Sequence, residues 1–361
     1  MIMLIVMIFY FYFIRVLYVN LCMMMHHDSG STKKRQKPKH GGVKKNKTMR
    51  HNKHNVEQIS STIKNISFEK ARSDFKALQD LDFSKTSLQV QQTKKIGNSV
   101  MDYYFFKYRL HTKTKRGISY YEWIKTRWQQ NESEYRMYKF NLAQGKNKEQ
   151  ARYGVFRLYY GSTQGFKPAI AKWLYSTYAP KVAALDFSAG WGGRCLAAMS
   201  LGIPYIGVDT NTSLRPVYNK MVRELKNDII NEANVTMIFK DAAMVDYSKY
   251  NYDMVFTSPP YFKKFVPAEE YPHMPKYTSR DDFNHRFLFP TIQNTFTHLK
   301  GGGTYAINIP QDAYRDLQQA KILPSRLKAK HRLFIQPRFA KGNPVNPENQ
   351  YKEYIYVWKK L

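Results

Sequence analysis

A strand-like run, Asp253-Met-Val-Phe-Thr, ends abruptly in Ser258-Pro259-Pro260-Tyr261. Proline fixes φ and removes an N–H donor, so two in succession make a rigid turn whose carbonyls can face outward together. The Ser258 side chain and the Pro259 carbonyl could then accept both protons of one planar exocyclic amine. Such a grip draws the nitrogen lone pair out of conjugation and makes it nucleophilic. Tyr261 could stack on a base turned out of its helix, with Phe262 beside it. A diproline can also do no more than end a strand, so the stretches around it decide its meaning.

One of those stretches is a glycine loop. Asp186-Phe-Ser188-Ala-Gly190-Trp-Gly192-Gly-Arg194 follows the run Ala183-Ala-Leu and opens a helix of small residues, Leu196 to Ser200. Strand, glycine turn and helix in that order is the setting in which such a loop holds a nucleotide. Gly190 and Gly192 would let the backbone approach a ligand closely. Further on, Tyr205-Ile-Gly-Val-Asp209 reads as a second strand ending in an acid, and an acid there can bond both hydroxyls of a ribose. The loop is not G-x-G-x-x-G, because Arg194 and Cys195 follow Gly193, and it has no phosphate-gripping Lys-Ser/Thr. A ligand with a ribose and no pyrophosphate fits better, which suggests S-adenosylmethionine. The same glycines could instead serve helix–sheet packing alone. Asp241 follows a third strand, where it could take a hydrogen bond from an adenine amine or cap the helix that starts at Ala242.

These stretches need a sheet that gathers strand ends at one edge. From Ala183 onward, short apolar runs at 183–187, 205–209, 235–239, 253–257, 304–309, 331–336 and 353–358 alternate with helical patterns. The alternation predicts an α/β fold with a doubly wound, mostly parallel seven-stranded sheet. A loop and no helix joins the last two runs, so they are expected to pair antiparallel at the sheet edge. Upstream, 57–83 reads as one or two amphipathic helices. Residues 95–160 form a distinct aromatic and basic region, in which cations interleaved with rings suit phosphate contact and base stacking.

DFSAGWGG, Asp209 and TSPPYF together resemble the cofactor loop, ribose acid and catalytic tetrapeptide of class I S-adenosylmethionine-dependent DNA amino-methyltransferases of the N4-cytosine/N6-adenine type. Gly165-Phe166-Lys167-Pro168 resembles the family's segment around the methionine end of the cofactor, and KEYIYVWKK its closing strand. The resemblance covers roughly 160–361. It implies a Rossmann-like methyltransferase domain over 161–361 and S-adenosylmethionine as cofactor. Ser258, Pro259, Pro260 and Tyr261 would be catalytic. Phe166, Asp186, Ser188, Gly190, Gly192, Asp209 and Asp241 would bind the cofactor. Family members that modify adenine usually carry Asp or Asn at the position of Ser258, and Ser is commoner in those acting on cytosine, so cytosine N4 is favoured over adenine N6. Trp191 and the second glycine depart from the commoner F-x-G-x-G loop and imply a divergent subgroup of a kind seen in phages and large DNA viruses. Loop and corner are too close in sequence for a recognition domain between them. Recognition then falls to 84–160, within an N-terminal region spanning 57–160, or to 262–282.

Charge agrees with a polyanionic partner. The 361 residues hold 58 Lys plus Arg against 27 Asp plus Glu, a net charge of +31. Residues 1–60 carry +9 and the rest +22, so the excess is not confined to a tail. DNA is the expected partner and RNA the alternative. Arg109, Lys113, Lys115, Arg116 and Arg127 are candidate phosphate contacts, though any one of them could belong to a solvated basic face. Two cysteines, Cys22 and Cys195, rule out a disulfide framework and paired-cysteine zinc sites, and no acidic cluster offers ligands to a hard cation. No metal is expected. The apolar segment 1–25 is broken by Arg15 and falls short of the ~20 apolar residues of a membrane span. It reads as a dispensable stretch ahead of the alternative starts Met23, Met24 and Met25, or as an anchor. Residues 26–56 are a basic tract expected to be disordered. Their Gly41–Thr48 segment imitates a phosphate loop, but Asn46 replaces its second glycine. The chain is expected inside the cell, with DNA. A methyltransferase acting on RNA bases and an inactive nucleic-acid-binding scaffold are the competing functions.

Overall fold

The computed structural model describes residues 54–83, 95–114, 116–129, 131–228, 234–260, 262–263, 266–267, 277–333 and 353–361. Tyr261, Lys115, the apolar segment 1–25 and nearly all of the basic tract lie outside the described residues.

Seven strands form one sheet: β1 (Ala184–Asp186), β2 (Tyr205–Asp209), β3 (Val235–Phe239), β4 (Met254–Thr257), β5 (Thr304–Pro310), β6 (Ala329–Leu333) and β7 (Glu353–Lys359). Their order is β3-β2-β1-β4-β5-β7-β6. The first five strands run parallel, with Leu185 opposite Ile206 on one side and Val255 on the other. β7 is antiparallel to both β5 and β6, pairing Ala306 with Val357 and Ala329 with Val357. The last two strands therefore do pair antiparallel, but the final one lies inside the sheet and β6 takes the edge. The sequence explains this: Ile355, Tyr356, Val357 and Trp358 are all buried, whereas β6 alternates exposed and half-buried positions.

Period-two alternation places successive strand residues in opposite cores. On β4, Met254 and Phe256 face one cluster and Val255 faces the other. The first cluster is covered by α3 (Asn98–Arg109), α7 (Pro168–Tyr178), α8 (Gly193–Ser200) and α9 (Arg215–Leu225). The second is covered by a helical stretch after β4 and by α12 (Gln311–Gln319). The stretch after β4 runs from α10 (Arg280–Phe283) through a π-helical turn, Asn284–Leu288, into α11 (Phe289–His298). Helices on both faces of a parallel sheet bury each central strand completely, which is why β4 and β5 read as largely apolar runs, with Asn308 the polar exception in β5.

Ahead of α7 the described residues hold α1 (His54–Ile63), α2 (Phe68–Gln79), α3, α4 (Tyr120–Thr126), α5 (Glu132–Ala143) and α6 (Lys148–Tyr159). Reciprocal capping boxes, Ser119 with Glu122 and Asn147 with Gln150, start α4 and α6. Helix α1 begins inside the stretch expected to lack structure, because Val56, Ile59 and Ile63 recur at helical spacing and pack on a third apolar cluster. Lys172 of α7 is 3 % exposed and donates to the carbonyls of Leu78 (2.6 Å), Gln79 (2.6 Å) and Leu81 (3.1 Å), closing the C-terminus of α2. Lys172→Met leaves those carbonyls without this donor. It is expected to cost about 1–3 kcal/mol in urea unfolding, and an unchanged midpoint would remove the clamp from the account.

Most rings of the aromatic region are structural. Tyr104, Phe105, Phe106, Tyr120, Tyr121, Trp123 and Phe156 are buried, which corrects the expectation that these aromatics present a stacking surface. Among the described residues no helix is long and apolar enough to cross a membrane.

Candidate functional site

The ends of β1 to β4 meet at the carboxyl edge of the sheet, where open α/β folds bind ligands. At the end of β1 the chain turns through Ser188, Gly190 and Gly192 into α8, and the Gly192 carbonyl takes the first helical bond from Leu196 N–H at 2.8 Å. Gly193 is fixed by contact, since a Cβ there would stand 1.9 Å from the Phe166 carbonyl oxygen. The Gly165–Pro168 segment and the glycine loop thus touch through bare backbone. Gly190 is fixed by conformation, with φ +59°, and its would-be Cβ has no neighbour nearer than 3.7 Å. The loop is tight on its helix side and open beside Gly190.

Asp209 ends β2 and binds that loop directly. One carboxylate oxygen accepts Gly190 N–H at 2.7 Å and the other accepts Asn211 N–H at 2.8 Å. Burial pushes the carboxyl up to about 6, against the pull of these two N–H donors. Each oxygen keeps a lone pair beyond these bonds, so the group can still receive two hydroxyls.

Asp186 holds a different place. It is 0 % exposed and saturated: Arg194 Nε donates at 2.6 Å, Tyr205 Oη at 2.6 Å and Ser188 N–H at 3.2 Å. Arg194 is itself 4 % exposed, bonds the Ser188 carbonyl and lies over the Phe166 ring with 5.3 Å to its centroid. Asp186 and Arg194 therefore brace the loop from inside. Ser188 takes part through its backbone, and Phe166 rests edge-on against Phe256 at 5.4 Å. Tyr218 adds a bond to the Gly190 carbonyl at 3.0 Å. Arg194, Tyr205 and Tyr218 were not legible as site residues; a lone Arg at the start of a small-residue helix was the available signal. Asp241 caps the short 3-10 helix Ala242–Met244 through Ala243 N–H at 3.0 Å, the capping alternative for this residue, and stands at the end of β3 on the same edge.

β4 delivers Ser258, Pro259 and Pro260 to that edge. Ser258 Oγ donates to Asn308 Oδ1 at 3.1 Å, and Asn308 Nδ2 donates to the Tyr354 carbonyl at 3.1 Å. Asn308 lies on β5, where Thr257 faces Ile307, and is 1 % exposed. Sequence reasoning missed it, although one Asn inside the apolar run TYAINI was a visible signal. A shallow open recess of about 10 Å³, room for about one water, adjoins the corner, walled by Pro259, Pro260, Phe262, Phe283, Leu288 and Pro310, with Asn284 and Arg280 as its polar side. Arg280 is held by Asp312 and Asp316, and Asn284 Nδ2 donates to Asp316 at 2.9 Å. The π-helical turn that carries Asn284 and Leu288 into this wall is a local distortion of a kind frequent at functional sites.

One sequence-predicted contact is corrected. Arg109 is 8 % exposed and paired with Asp102, two turns away on the inward face of α3, so it cannot reach a phosphate. Phe262 is 6 % exposed, packs against Phe283 with ring centroids 5.6 Å apart and is itself part of the recess wall. Arg116 and Arg127 are exposed, and Lys113 is half-buried with a partner of its own.

No protein-family model matches the chain, and no curated protein matches it in sequence. Solved structures do. TrmN from Thermus thermophilus is 16% identical with a TM-score of 0.37, over 54% of this chain and 49% of that one. An rRNA methylase from Streptococcus thermophilus is 14% identical with a TM-score of 0.33, over 55% of this chain and 100% of that one. A putative methyltransferase from Streptococcus mutans, solved in complex with SAH, is 16% identical with a TM-score of 0.31, over 50% of this chain and 89% of that one. The chain spans about half the length of TrmN.

Proposed function

We propose that this chain transfers a methyl group from S-adenosylmethionine to the exocyclic amine of a nucleic-acid base, with DNA cytosine N4 favoured over adenine N6. The observation that carries the reading is the meeting, on one sheet edge, of the Asp209–Gly190 contact and the Ser258-Pro259-Pro260 corner. The residues fit the donor: the open side of Gly190 leaves room for backbone contact, and the Asp209 carboxylate suits two ribose hydroxyls. When bound, the donor supplies an electrophilic methyl group on a sulfonium. Ser258 Oγ and the Pro259 carbonyl accept hydrogen bonds from the two amine N–H groups and orient the lone pair; the amine gains the methyl group in place of one proton, which leaves to solvent. The target ring would lie against Pro260 and the apolar residues of the recess beside it.

RNA is the second reading. Tyr135, Phe140 and Tyr159 are exposed on α5 and α6, and the Lys139 ammonium lies 4.7 Å from the Tyr135 ring centroid. Exposed rings beside cations suit unpaired bases. Incubation with labelled donor and duplex DNA, single-stranded DNA or RNA separates these readings. Label in DNA is expected. Label confined to RNA moves the substrate, and no label in any polymer contradicts the proposal.

Of the candidate phosphate contacts among the described residues, Arg116 and Arg127 are the exposed ones. Converting both to Ala is expected to flatten the dependence of log binding constant on log salt by about 1.8 for duplex DNA, roughly 0.9 per phosphate. An unchanged slope would exclude them from the interface.

A further inference from the structure

We infer that Asn308 is a positioning residue that fixes the Ser258 hydroxyl as a hydrogen-bond acceptor toward the substrate. The inference rests on the methyl-transfer reading above and names the atom-level device behind its choice of an amine. A serine hydroxyl has one proton and rotates to suit its neighbours, so by itself it serves donors and acceptors alike. Here a buried chain of bonds removes that freedom. The amide orientation of Asn308 is set by the Tyr354 carbonyl, which can only accept and therefore takes the Nδ2 group at 3.1 Å. Oδ1 is thereby turned toward Ser258 and accepts its proton at 3.1 Å. With that proton spent, Oγ meets any other group as an acceptor.

The carbonyl of Pro259 is an acceptor as well, and Pro259 and Pro260 have no N–H to offer. Ser258 Oγ and the carbonyl beside it thus present acceptors to whatever enters. A nitrogen that carries protons is welcomed, and a ring nitrogen presenting only a lone pair is repelled. The selection follows from Asn308 standing on β5 one residue beyond Ile307, the partner of Thr257, where the parallel register brings its side chain to Ser258. Rigid strands on both sides hold the three groups, with Asn308 1 % exposed and β7 supplying the Tyr354 carbonyl. Strand-borne groups of this kind are positioned more precisely than loop-borne ones.

A double-mutant cycle of Ser258→Ala and Asn308→Ala tests this, read on the full chain in two ways. In urea unfolding the two substitutions are expected to be non-additive, because each breaks the same bond; additive losses would overturn the pairing. In methyl transfer, Asn308→Ala is expected to lower kcat about tenfold or more with donor Kd and nucleic-acid KM changed less than twofold, and to have no further effect once Ser258 is Ala. An equal fold-loss in both backgrounds would overturn the positioning role. Asn308→Leu, of similar volume, repeats the cycle should the Ala variant unfold. A wild-type chain that binds the donor and methylates no nucleic acid would contradict the proposed function, and the unfolding cycle would then decide the Asn308 pairing by itself.

Discussion

Ser258→Ala is expected to lower methyl transfer about 100-fold while leaving donor affinity unchanged, a loss of transition-state stabilisation of about 2.7 kcal/mol. The substitution removes the Oγ acceptor and leaves the backbone carbonyl of Pro259 in place. An amine held by one acceptor keeps more of its lone pair in the ring, and its direction of attack is no longer fixed. Donor affinity is spared because the serine sits at the end of β4, whereas the loop contacts come from the ends of β1 and β2. Equilibrium dialysis of the donor and single-turnover kinetics separate the two effects. Full turnover in the Ser258→Ala variant would mean that the amine is activated elsewhere.

Asp209→Ala is expected to weaken donor binding at least about 100-fold, since two hydrogen bonds to a charged group, worth about 1.5–3 kcal/mol each, are lost. The substitution also frees Gly190 N–H, so the loop loses a contact that shapes it before any ligand arrives. The ionisation of Asp209 gives a pH signature. Burial raises its carboxyl to about 6, and two ribose hydroxyls favour the ionised form. Donor affinity should therefore be near full above about pH 7, halved at about pH 6 and about tenfold lower at pH 5 than at pH 7. The stability of the free protein has the opposite sign. A carboxyl whose folded value is raised contributes stability below its unfolded value, and that contribution is lost as pH rises through about 6. Asp209→Asn should flatten the affinity profile, and a titration that persists in that variant would assign it to another group.

The positions of the strands were legible because burial on both faces leaves largely apolar runs for β4 and β5, with polar punctuation at each end. The loop and corner were legible for a related reason. Glycine and proline mark places where the backbone itself is constrained, and Asp209 follows its strand at the offset a ribose requires. The supports were hidden. Arg194, Tyr205 and Tyr218 reach the loop through pairings between residues distant in sequence, and Asn308 meets Ser258 through the register of two parallel strands, which no local pattern encodes. The same limit explains Arg109. Its type suggested phosphate, but the periodicity of α3 turns it inward beside Phe105 and Phe106 and toward Asp102. Phe262 likewise followed the corner in sequence and turned back into the core.

The central claim concerns one atom of the substrate, and nucleoside mass spectrometry reads that atom. Nucleic acid incubated with the purified chain and labelled donor is digested, and the methylated nucleosides are identified. The methyl group is expected on an exocyclic amine, as N4-methylcytosine ahead of N6-methyladenine. A methyl group on a ring nitrogen, a ring carbon or the ribose would contradict that claim.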